Sequence, residues 1–256
     1  MSSRDLPRIF PVMIIYGRNV VREALSAAVP LKEAVLLDSG RRLGELDGLE
    51  KDLVRAGVPV SRVGRERLEA VSHTRDHQGV AARLRAFPYS DFSRVLTGIA
   101  GDPFVILLDR VQDPHNVGAI IRTAAAAGAD LVVLSEHGGC RITPAVLKTS
   151  AGCAFAVPIA VETNLVSCVR RLREVGVWVY GAAMEGDDCF QVDFSGGAGL
   201  VFGNEGGGMK RLLRENCDRL VSVPMAGSVE SLNVSVAAAV ISFQVLASRR
   251  REAETG

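Results

Sequence analysis

The chain has 256 residues, of which 48% are hydrophobic and 5% aromatic, with 30 Lys or Arg against 29 Asp or Glu. This composition excludes a disordered chain and predicts one large domain or two modest ones with a real core. No apolar run is long enough to span a membrane, and the first residues lack the apolar core of a signal peptide. The five cysteines are odd in number and widely spaced, which indicates reduced thiols in the cytoplasm and argues against a zinc site.

The net charge of +1 does not by itself indicate a nucleic-acid partner. The charges are nevertheless distributed unevenly along the chain. Residues 1–100 carry 16 Lys or Arg against 12 Asp or Glu, whereas residues 101–256 carry 14 against 17. Two interpretations fit this difference: ordinary scatter, or an N-terminal part that holds a polyanion.

The N-terminal third of the chain alternates short β-rich runs with helical patterns. The predicted strands lie at residues 14–16, 34–37 and 58–60, with a closing strand within 79–85. Helical spacing predicts helices at 19–28 and 43–56, and Gly57 occupies the position of a helix C-cap. We therefore predict a flexible tail over residues 1–12 and a small α/β domain over 13–87.

Residues 88–103 hold two prolines and two glycines, which predict a linker with room for one short helix. The remaining part of the chain, residues 104–256, alternates apolar strands with helices. The predicted strands there are 104–109, 131–134, 177–180, 199–202 and 220–223. The predicted helices are 117–127, 143–151, 165–175, 210–217 and 233–250. Fully apolar strands that alternate with helices predict an α/β fold with a mostly parallel sheet and helices on both faces.

The run Asn-Val-Gly-Ala-Ile-Ile-Arg at residues 116–122 opens the first helix of this C-terminal part. We place Asn116 before the helix, where a purely structural N-cap is as good an interpretation as a functional residue. Arg122 lies one to two turns inside a helix that otherwise has small or apolar residues. A buried guanidinium needs an anionic partner, which a protein carboxylate or a substrate phosphate would supply.

The run Gly-Asn-Glu-Gly-Gly-Gly-Met at residues 203–209 follows an apolar strand. So much glycine after a strand indicates a backbone that approaches a ligand closely. The run has neither the Gly-x-Gly-x-x-Gly dinucleotide pattern nor the Lys-Ser/Thr ending of a phosphate loop, so we expect a ligand other than a pyrophosphate. Glu205 stands between glycines, which favours a polar function for its carboxylate.

The segment from Pro224 and Met225 to Ser231, Leu232 and Asn233 leads into the last predicted helix. Ser231 and Asn233 are natural N-caps, and a helix N-terminus beside a glycine loop also suits an anionic or carbonyl-bearing ligand. The helix has apolar or small residues on nearly every side. We therefore expect it to be central or to lie in a subunit interface.

Together the three segments resemble the three sequence motifs of the SpoU/TrmH family of RNA 2′-O-ribose methyltransferases, within the SPOUT superfamily. The patterns Asn-x-Gly-x-x-x-Arg, Gly-Asn-Glu-Gly and Pro-Met…Ser-Leu-Asn-Val-Ser occur in the family's order, and the resemblance spans residues 104–250. Residues 15–20 and 77–80 are similar to the RNA substrate-binding extension of the RlmB-type branch. That branch methylates a guanosine in large-subunit ribosomal RNA, and its extension resembles a ribosomal-protein fold.

The resemblance implies a sheet with a trefoil knot whose loops bind S-adenosylmethionine (SAM), with no metal ion. The residues that family similarity places against the adenosine part are Gly203, Asn204, Val223, Met225 and Leu232. The resemblance also implies a homodimer formed through the C-terminal domain, with ribosomal RNA as the partner and each site at the subunit interface.

Family similarity gives catalytic roles to Asn116, Arg122, Glu205, Ser231 and Asn233. A guanidinium is a poor base, because its pKa lies above about 12. We therefore interpret Arg122 as the group that holds the neighbouring phosphate and stabilises the developing alkoxide. Glu205 or a water would take the proton of the 2′-hydroxyl, while the other three residues orient the ribose and Arg122.

Two other classes of function stay open on the sequence alone. A non-catalytic RNA-binding or ribosome-assembly factor would keep the same fold, although the complete set of motif residues argues against it. A nicotinamide-dependent oxidoreductase is a third interpretation, but no dinucleotide fingerprint follows any predicted strand. Among methyltransferases, the alternative targets are another ribosomal RNA nucleotide or a transfer RNA.

Overall fold

The computed structural model describes residues 13–38, 40, 44–227 and 231–255. The chain divides into two compact units, residues 1–88 and 89–256. The predicted flexible tail over residues 1–12 lies outside the described residues. In the part of the chain that is described, no helix is both long and apolar enough to cross a membrane.

The first unit is built on a four-stranded mixed sheet in the order β1-β4-β2-β3. Its strands are β1 Met13–Tyr16, β2 Leu31–Leu37, β3 Val60–Val63 and β4 Val80–Leu84. Its helices are α1 Arg18–Ser26, α2 Gly44–Arg55 and α3 Arg65–Ser72. Helix α3 was not predicted from the sequence. Leu68 is its only large buried apolar residue, so the helix lacks the apolar stripe by which a helix is recognised.

The turn before β4 fixes the start of helix α1. The side-chain oxygen of Gln78 accepts a hydrogen bond from the backbone N–H of Arg18 at 3.1 Å, and the Gln78 carbonyl accepts one from Arg18 Nε at 3.1 Å. Gly79 has φ +85°, and a Cβ there would lie 2.7 Å from Leu46 Cδ1. The positive φ therefore favours glycine at this position, and a larger residue would also have to displace the end of the Leu46 side chain. The two N-terminal segments picked out in the sequence thus form one local structure.

The second unit contains a six-stranded parallel sheet in the order β10-β8-β9-β5-β6-β7. Its strands are β5 Phe104–Leu108, β6 Leu131–Ser135, β7 Ile159–Glu162, β8 Trp178–Asp188, β9 Ala198–Phe202 and β10 Arg219–Ser222. Its helices are α4 Phe92–Gly98, α5 Pro114–Ala127, α6 Pro144–Thr149, α7 Leu165–Glu174, α8 Arg211–Glu215 and α9 Val234–Thr255. The predicted α/β fold with a mostly parallel sheet is confirmed.

Both faces of this sheet are buried, as its apolar strands require. Val105 and Val133 belong to a core cluster with residues of α4 and α7. Their neighbours Ile106 and Val132 point to the opposite face and are also fully buried. Helix α5 packs against both α6 and α9, and α9 also contacts β9.

Part of the predicted linker, residues 88–103, belongs to the core of the second unit. Phe92 and Leu96 of α4 are 1% and 6% exposed and lie in the cluster with β5 and β6. The Asp91 carboxylate caps this helix by accepting a hydrogen bond from the Arg94 backbone N–H at 2.8 Å. The short helix allowed for in the linker is therefore a packed element, because its two apolar residues lie four apart on one face.

Strand β8 continues eight residues beyond its predicted end at residue 180. Strand β10 pairs with β8 in two separate stretches: Leu220 lies beside Gly181, whereas Val221 lies beside Asp187. The intervening residues 182–186 leave the register of the pair and form a bulge, which we call the β8 bulge. A Cβ on Gly186 would overlap the backbone of Val221, so the bulge closes on a glycine.

Candidate active site

A cleft of about 870 Å³ opens at the carboxyl ends of strands β8, β9 and β10. Its lining consists of residues 182–185, 202–209, 221–225 and 231–234, together with Arg214, Ala237 and Ile241. Ligands of open parallel sheets bind outside the carboxyl ends of the strands, so this is the expected place for a site. All five predicted cofactor residues, Gly203, Asn204, Val223, Met225 and Leu232, line the cleft.

The glycine loop, residues 203–209, forms one wall of the cleft and folds back on itself. The backbone groups of Asn204 and Gly208 exchange two hydrogen bonds, of 3.2 and 2.8 Å. A Cβ on Gly203 would overlap the backbone of Gly208 and Met209, so glycine is needed for the return of the chain. The Asn204 side chain forms hydrogen bonds to backbone groups of the protein itself. Its oxygen accepts from the Gly206 N–H at 2.9 Å, and its nitrogen donates to the Arg110 carbonyl at 3.0 Å.

Asp109 and Arg110, directly after β5, hold both ends of this loop. The Asp109 carboxylate is buried, with 4% of its side chain exposed; it pairs with the Arg110 guanidinium and accepts a hydrogen bond from the Lys210 N–H at 2.8 Å. Arg110 has φ +57° and donates to the Gly208 carbonyl at 3.4 Å. The sequence analysis did not predict these roles. The sequence does place the carboxylate of Asp109 at the end of an apolar strand. Because a buried carboxylate needs hydrogen-bond donors, this position could have indicated a structural role.

Three of the five predicted catalytic residues form one chain of hydrogen bonds. Asn233 Nδ2 donates to Asn116 Oδ1 at 3.0 Å, and Asn116 Nδ2 donates to Glu205 Oε1 at 2.7 Å. Asn233 Oδ1 accepts from the Ser235 N–H at 2.8 Å, so the same side chain also caps α9. The chain joins all three sequence motifs, and each donor in it points toward Glu205.

The sequence prediction was wrong about the surroundings of Asn116 and Arg122. Helix α5 begins at Pro114, and Asp113 is its N-cap, accepting from the His115 N–H at 2.9 Å. Asn116 therefore lies in the first turn, where its amide is free for the network. Arg122 is exposed on α5, and among the described residues it has no hydrogen-bond or ion-pair partner.

Ser231, the fifth predicted catalytic residue, lines the cleft with an exposed side chain. Sequence analysis missed two charged residues of the lining, Glu185 on the β8 bulge and Arg214 on α8, which form an ion pair. Neither belongs to the three motifs. The β8 bulge that carries Glu185 arises from strand pairing, which local patterns do not report.

The composition of the lining fits a nucleoside better than a metal ion. Val223, Met225, Leu232 and Ile241 give an apolar wall, while the glycine loop offers backbone groups without side chains. Among the described residues, no three His, Cys, Asp or Glu side chains come close enough together to hold a metal. Burial raises the pKa of the Cys217 thiol, which packs beside Gly181, to about 12, so this thiol stays neutral and is a poor nucleophile.

Comparison with known proteins identifies the class. The sequence pattern of the SpoU rRNA Methylase family matches residues 103–243. A second pattern, described as RNA 2′-O ribose methyltransferase substrate binding, matches residues 14–90. The chain therefore belongs to the SpoU rRNA methylase family, which confirms the resemblance drawn from the three motifs.

Individual relatives match nearly the whole chain. It is 41% identical to the 23S rRNA (guanosine-2′-O-)-methyltransferase RlmB of Xanthomonas campestris pv. campestris, over 92% of this chain and 96% of the relative. The RlmB of Escherichia coli K12 is 37% identical over 92% of this chain and 98% of its own. The AdoMet-bound crystal structure of the SpoU methyltransferase AviRb from Streptomyces viridochromogenes superposes with a TM-score of 0.79, covering 96% and 92% of the two chains at 26% identity.

Proposed function

We propose that this protein transfers the methyl group of SAM to the ribose 2′-oxygen of a guanosine in 23S ribosomal RNA. The observation that carries the proposal is the hydrogen-bond chain from Asn233 through Asn116 to Glu205 at the mouth of a nucleoside-sized cleft. The RlmB relatives named above carry this activity in their names and match the first unit as well as the second. This match over both units favours ribosomal RNA over a transfer RNA target.

SAM supplies a methyl group on a cationic sulfonium when it is bound in the cleft. We assign the adenosine part to Gly203, Val223, Met225 and Leu232, whose backbone and apolar groups line the cleft. Asn204 would act indirectly by shaping the loop. These residues place the methyl donor and so supply the positioning that an in-line displacement needs.

The 2′-hydroxyl must lose its proton as its oxygen forms the new bond to the methyl carbon, while the bond from that carbon to sulfur breaks and S-adenosylhomocysteine is left as the neutral thioether. We assign the proton to Glu205. Asn116 holds one carboxylate oxygen of Glu205, which leaves the other oxygen to accept the proton. Arg122 has no partner among the described residues and is free to bind the phosphate beside the target ribose. Ser231, exposed at the cleft, would orient the ribose.

The substitution Glu205→Gln tests the role of Glu205, because the amide keeps the acceptor for Asn116 and loses the proton acceptor. We expect kcat on a 23S rRNA fragment to fall by about 100-fold or more. The Kd for SAM, measured by calorimetry, should change less than about twofold, since Glu205 serves the hydroxyl rather than the donor. Glu215→Gln on the exposed surface of α8 is the matched control.

Three outcomes separate the alternatives. A loss below about tenfold in kcat would show that another group takes the proton. Wild-type protein that binds SAM yet leaves every ribosomal and transfer RNA unmethylated would favour the assembly-factor interpretation. Methyl groups mapped to a nucleotide other than a 23S guanosine would keep the chemistry and change the target.

We also infer the domain roles and the assembly from this function. Residues 13–87 would be an RNA substrate-binding domain of the ribosomal-protein type, and residues 104–256 the methyltransferase domain, both working in the cytoplasm, where the RNA substrate is. A homodimer formed through the C-terminal domain is supported by Val236 and Phe243 of α9, which are 47% and 46% exposed and lie seven residues apart on one face.

A trefoil knot formed by the C-terminal segment of the chain is a further part of this proposal. Strand β10 lies at the sheet edge beside β8, whereas the next element, α9, packs against α5 and β9. The described residues on either side of this connection, 221–225 and 231–234, line the cleft together with the glycine loop, which supports a chain path that crosses the ends of β8 and β9. A crystal structure would contradict this inference if tracing its backbone from end to end revealed no knot.

A further inference from the structure

Two charged side chains in the cleft have no part in the mechanism described above. Of the described lining residues only Glu185, Glu205 and Arg214 are charged, and Glu205 belongs to the asparagine chain. Glu185 on the β8 bulge and Arg214 on α8 form an ion pair. Their side chains are 51% and 43% exposed, and both residues line the cleft, so each keeps surface that a ligand can reach.

The chemistry of the pair matches one end of the proposed ligand. The adenosine end of SAM suits the apolar wall, but its other end is an amino acid with an ammonium and a carboxylate on the same carbon. Such a zwitterion is recognised by one acidic and one basic group placed side by side. In the described lining, this arrangement occurs only at Glu185 and Arg214.

We propose that the Glu185–Arg214 pair binds the amino-acid end of SAM, with Glu185 accepting from the ammonium and Arg214 donating to the carboxylate. This assignment rests on the proposed function and adds the residues that fix the orientation of the methyl donor. It also gives the β8 bulge a purpose, because the bulge carries Glu185 out of the strand and into the cleft.

A purely structural role for the Glu185–Arg214 pair accounts for its position in the cleft less well than ligand binding does. The β8 bulge is already fixed at both ends by pairing of β10 with Gly181 and Asp187. An ion pair between two half-exposed side chains adds little to stability. Helix α8 provides an internal comparison: Arg211 and Glu215 form another exposed pair on the same five-residue helix, outside the cleft lining.

Two ligands test the assignment, one with the amino-acid end and one without it. 5′-Methylthioadenosine keeps the adenosine and the sulfur, as a neutral thioether, but has no amino-acid end; S-adenosylhomocysteine, the neutral thioether that keeps the amino-acid end, controls for the sulfonium charge and should lose affinity as SAM does. We expect Glu185→Gln and Arg214→Gln each to raise the calorimetric Kd for SAM by about tenfold while the Kd for methylthioadenosine changes less than twofold. Arg214→Lys should restore part of the loss, and the control Arg211→Gln should leave both constants unchanged.

Other results would overturn the proposal in distinguishable ways. Equal losses for both ligands would mean that the pair shapes the cleft as a whole. An unchanged Kd for SAM in both variants would show that the pair is a surface ion pair that does not bind SAM. Wild-type protein that binds neither ligand would overturn the proposed function itself, and this assignment with it.

Discussion

The direction of the asparagine chain is set by the backbone. Because Asn233 Oδ1 accepts from the Ser235 N–H, its amide nitrogen must face Asn116, whose own nitrogen then faces Glu205. Asn116 is 8% exposed, so water does not easily replace a lost partner there. The order of donors keeps the Glu205 carboxylate as an acceptor at a fixed position.

Asn116→Asp tests this direction with almost no change in shape. The introduced carboxylate would lie 2.7 Å from Glu205 Oε1, where an amide now donates. Two carboxylates that close hold one proton between them, which occupies the proposed base. We expect kcat to fall by about 100-fold or more while the Kd for SAM stays within about twofold.

Asn216→Asp is the control for Asn116→Asp, because among the described residues the Asn216 amide bonds only to the Leu212 carbonyl of helix α8, which Asn216 follows. Full activity of the Asn116→Asp variant would show that the asparagine chain does not position the base.

Among individual residues, the sequence predicted which side chains come together better than it predicted their surroundings. Asn116, Glu205 and Asn233 were named as site residues, and the structure joins them. Arg122 was expected to be buried, yet it is exposed. An apolar pattern around a helix does not say whether its own domain or a second copy covers it, so burial within one chain could not be read from it.

Among the elements, the glycine loop depends most on a partner distant in sequence. Residues 109 and 110 contact the chain at Phe202, Asn204, Gly208 and Lys210, so the end of β5 supports the entire loop. Arg110 adopts φ +57° to do this, a conformation that favours glycine. A residue with a strained backbone thus supports the glycine loop, the part of the cleft proposed to contact the cofactor.

Comparing Arg110→Gly with Arg110→Ala isolates that strain, since both substitutions remove the guanidinium. We expect the glycine variant to be more stable than the alanine variant by about 1 kcal/mol, because only glycine relieves the positive φ. The free energy of unfolding in urea measures the difference. The same pair of substitutions at Arg211, in helix α8, should give the opposite order by up to about 1 kcal/mol. Equal stabilities of the two Arg110 variants would contradict the strain.

Strands and helices with strong local patterns were predicted well. Strand β6 and helix α5, which ends at Gly128 in the left-handed conformation, follow the sequence closely. Strand β7 was missed because its four residues follow a proline and are too few for a pattern. The extra length of β8 arises from its pairing with β10, and such long-range pairing leaves no local trace.

For the whole molecule, the unpartnered face of α9 is the feature that a single chain leaves unexplained. This helix packs against α5, which carries the exposed Arg122. We propose that a second copy that covers Val236 and Phe243 also approaches Arg122. The proposed dimer would in this way complete the site.

Phe243→Asp should therefore convert the dimer to a monomer. A buried charge without a partner is costly at an apolar contact, so we expect the mass from light scattering to halve and kcat to fall by about tenfold or more. Val175→Asp is the control, because Val175 is 49% exposed at the end of α7, which packs against β8 and α8. A wild-type protein that is monomeric at micromolar concentration would contradict the proposed assembly.

The β8 bulge allows one wall of the cleft to vary in length without disturbing the sheet. Strand β10 fixes the register of β8 on both sides of residues 182–186, so the number of residues between these two points is not set by the sheet. Shortening or lengthening this stretch would alter the depth of the cleft while every pair of neighbouring strands keeps its alignment. The stretch is therefore a place to engineer acceptance of bulkier methyl-donor analogues without rebuilding the fold.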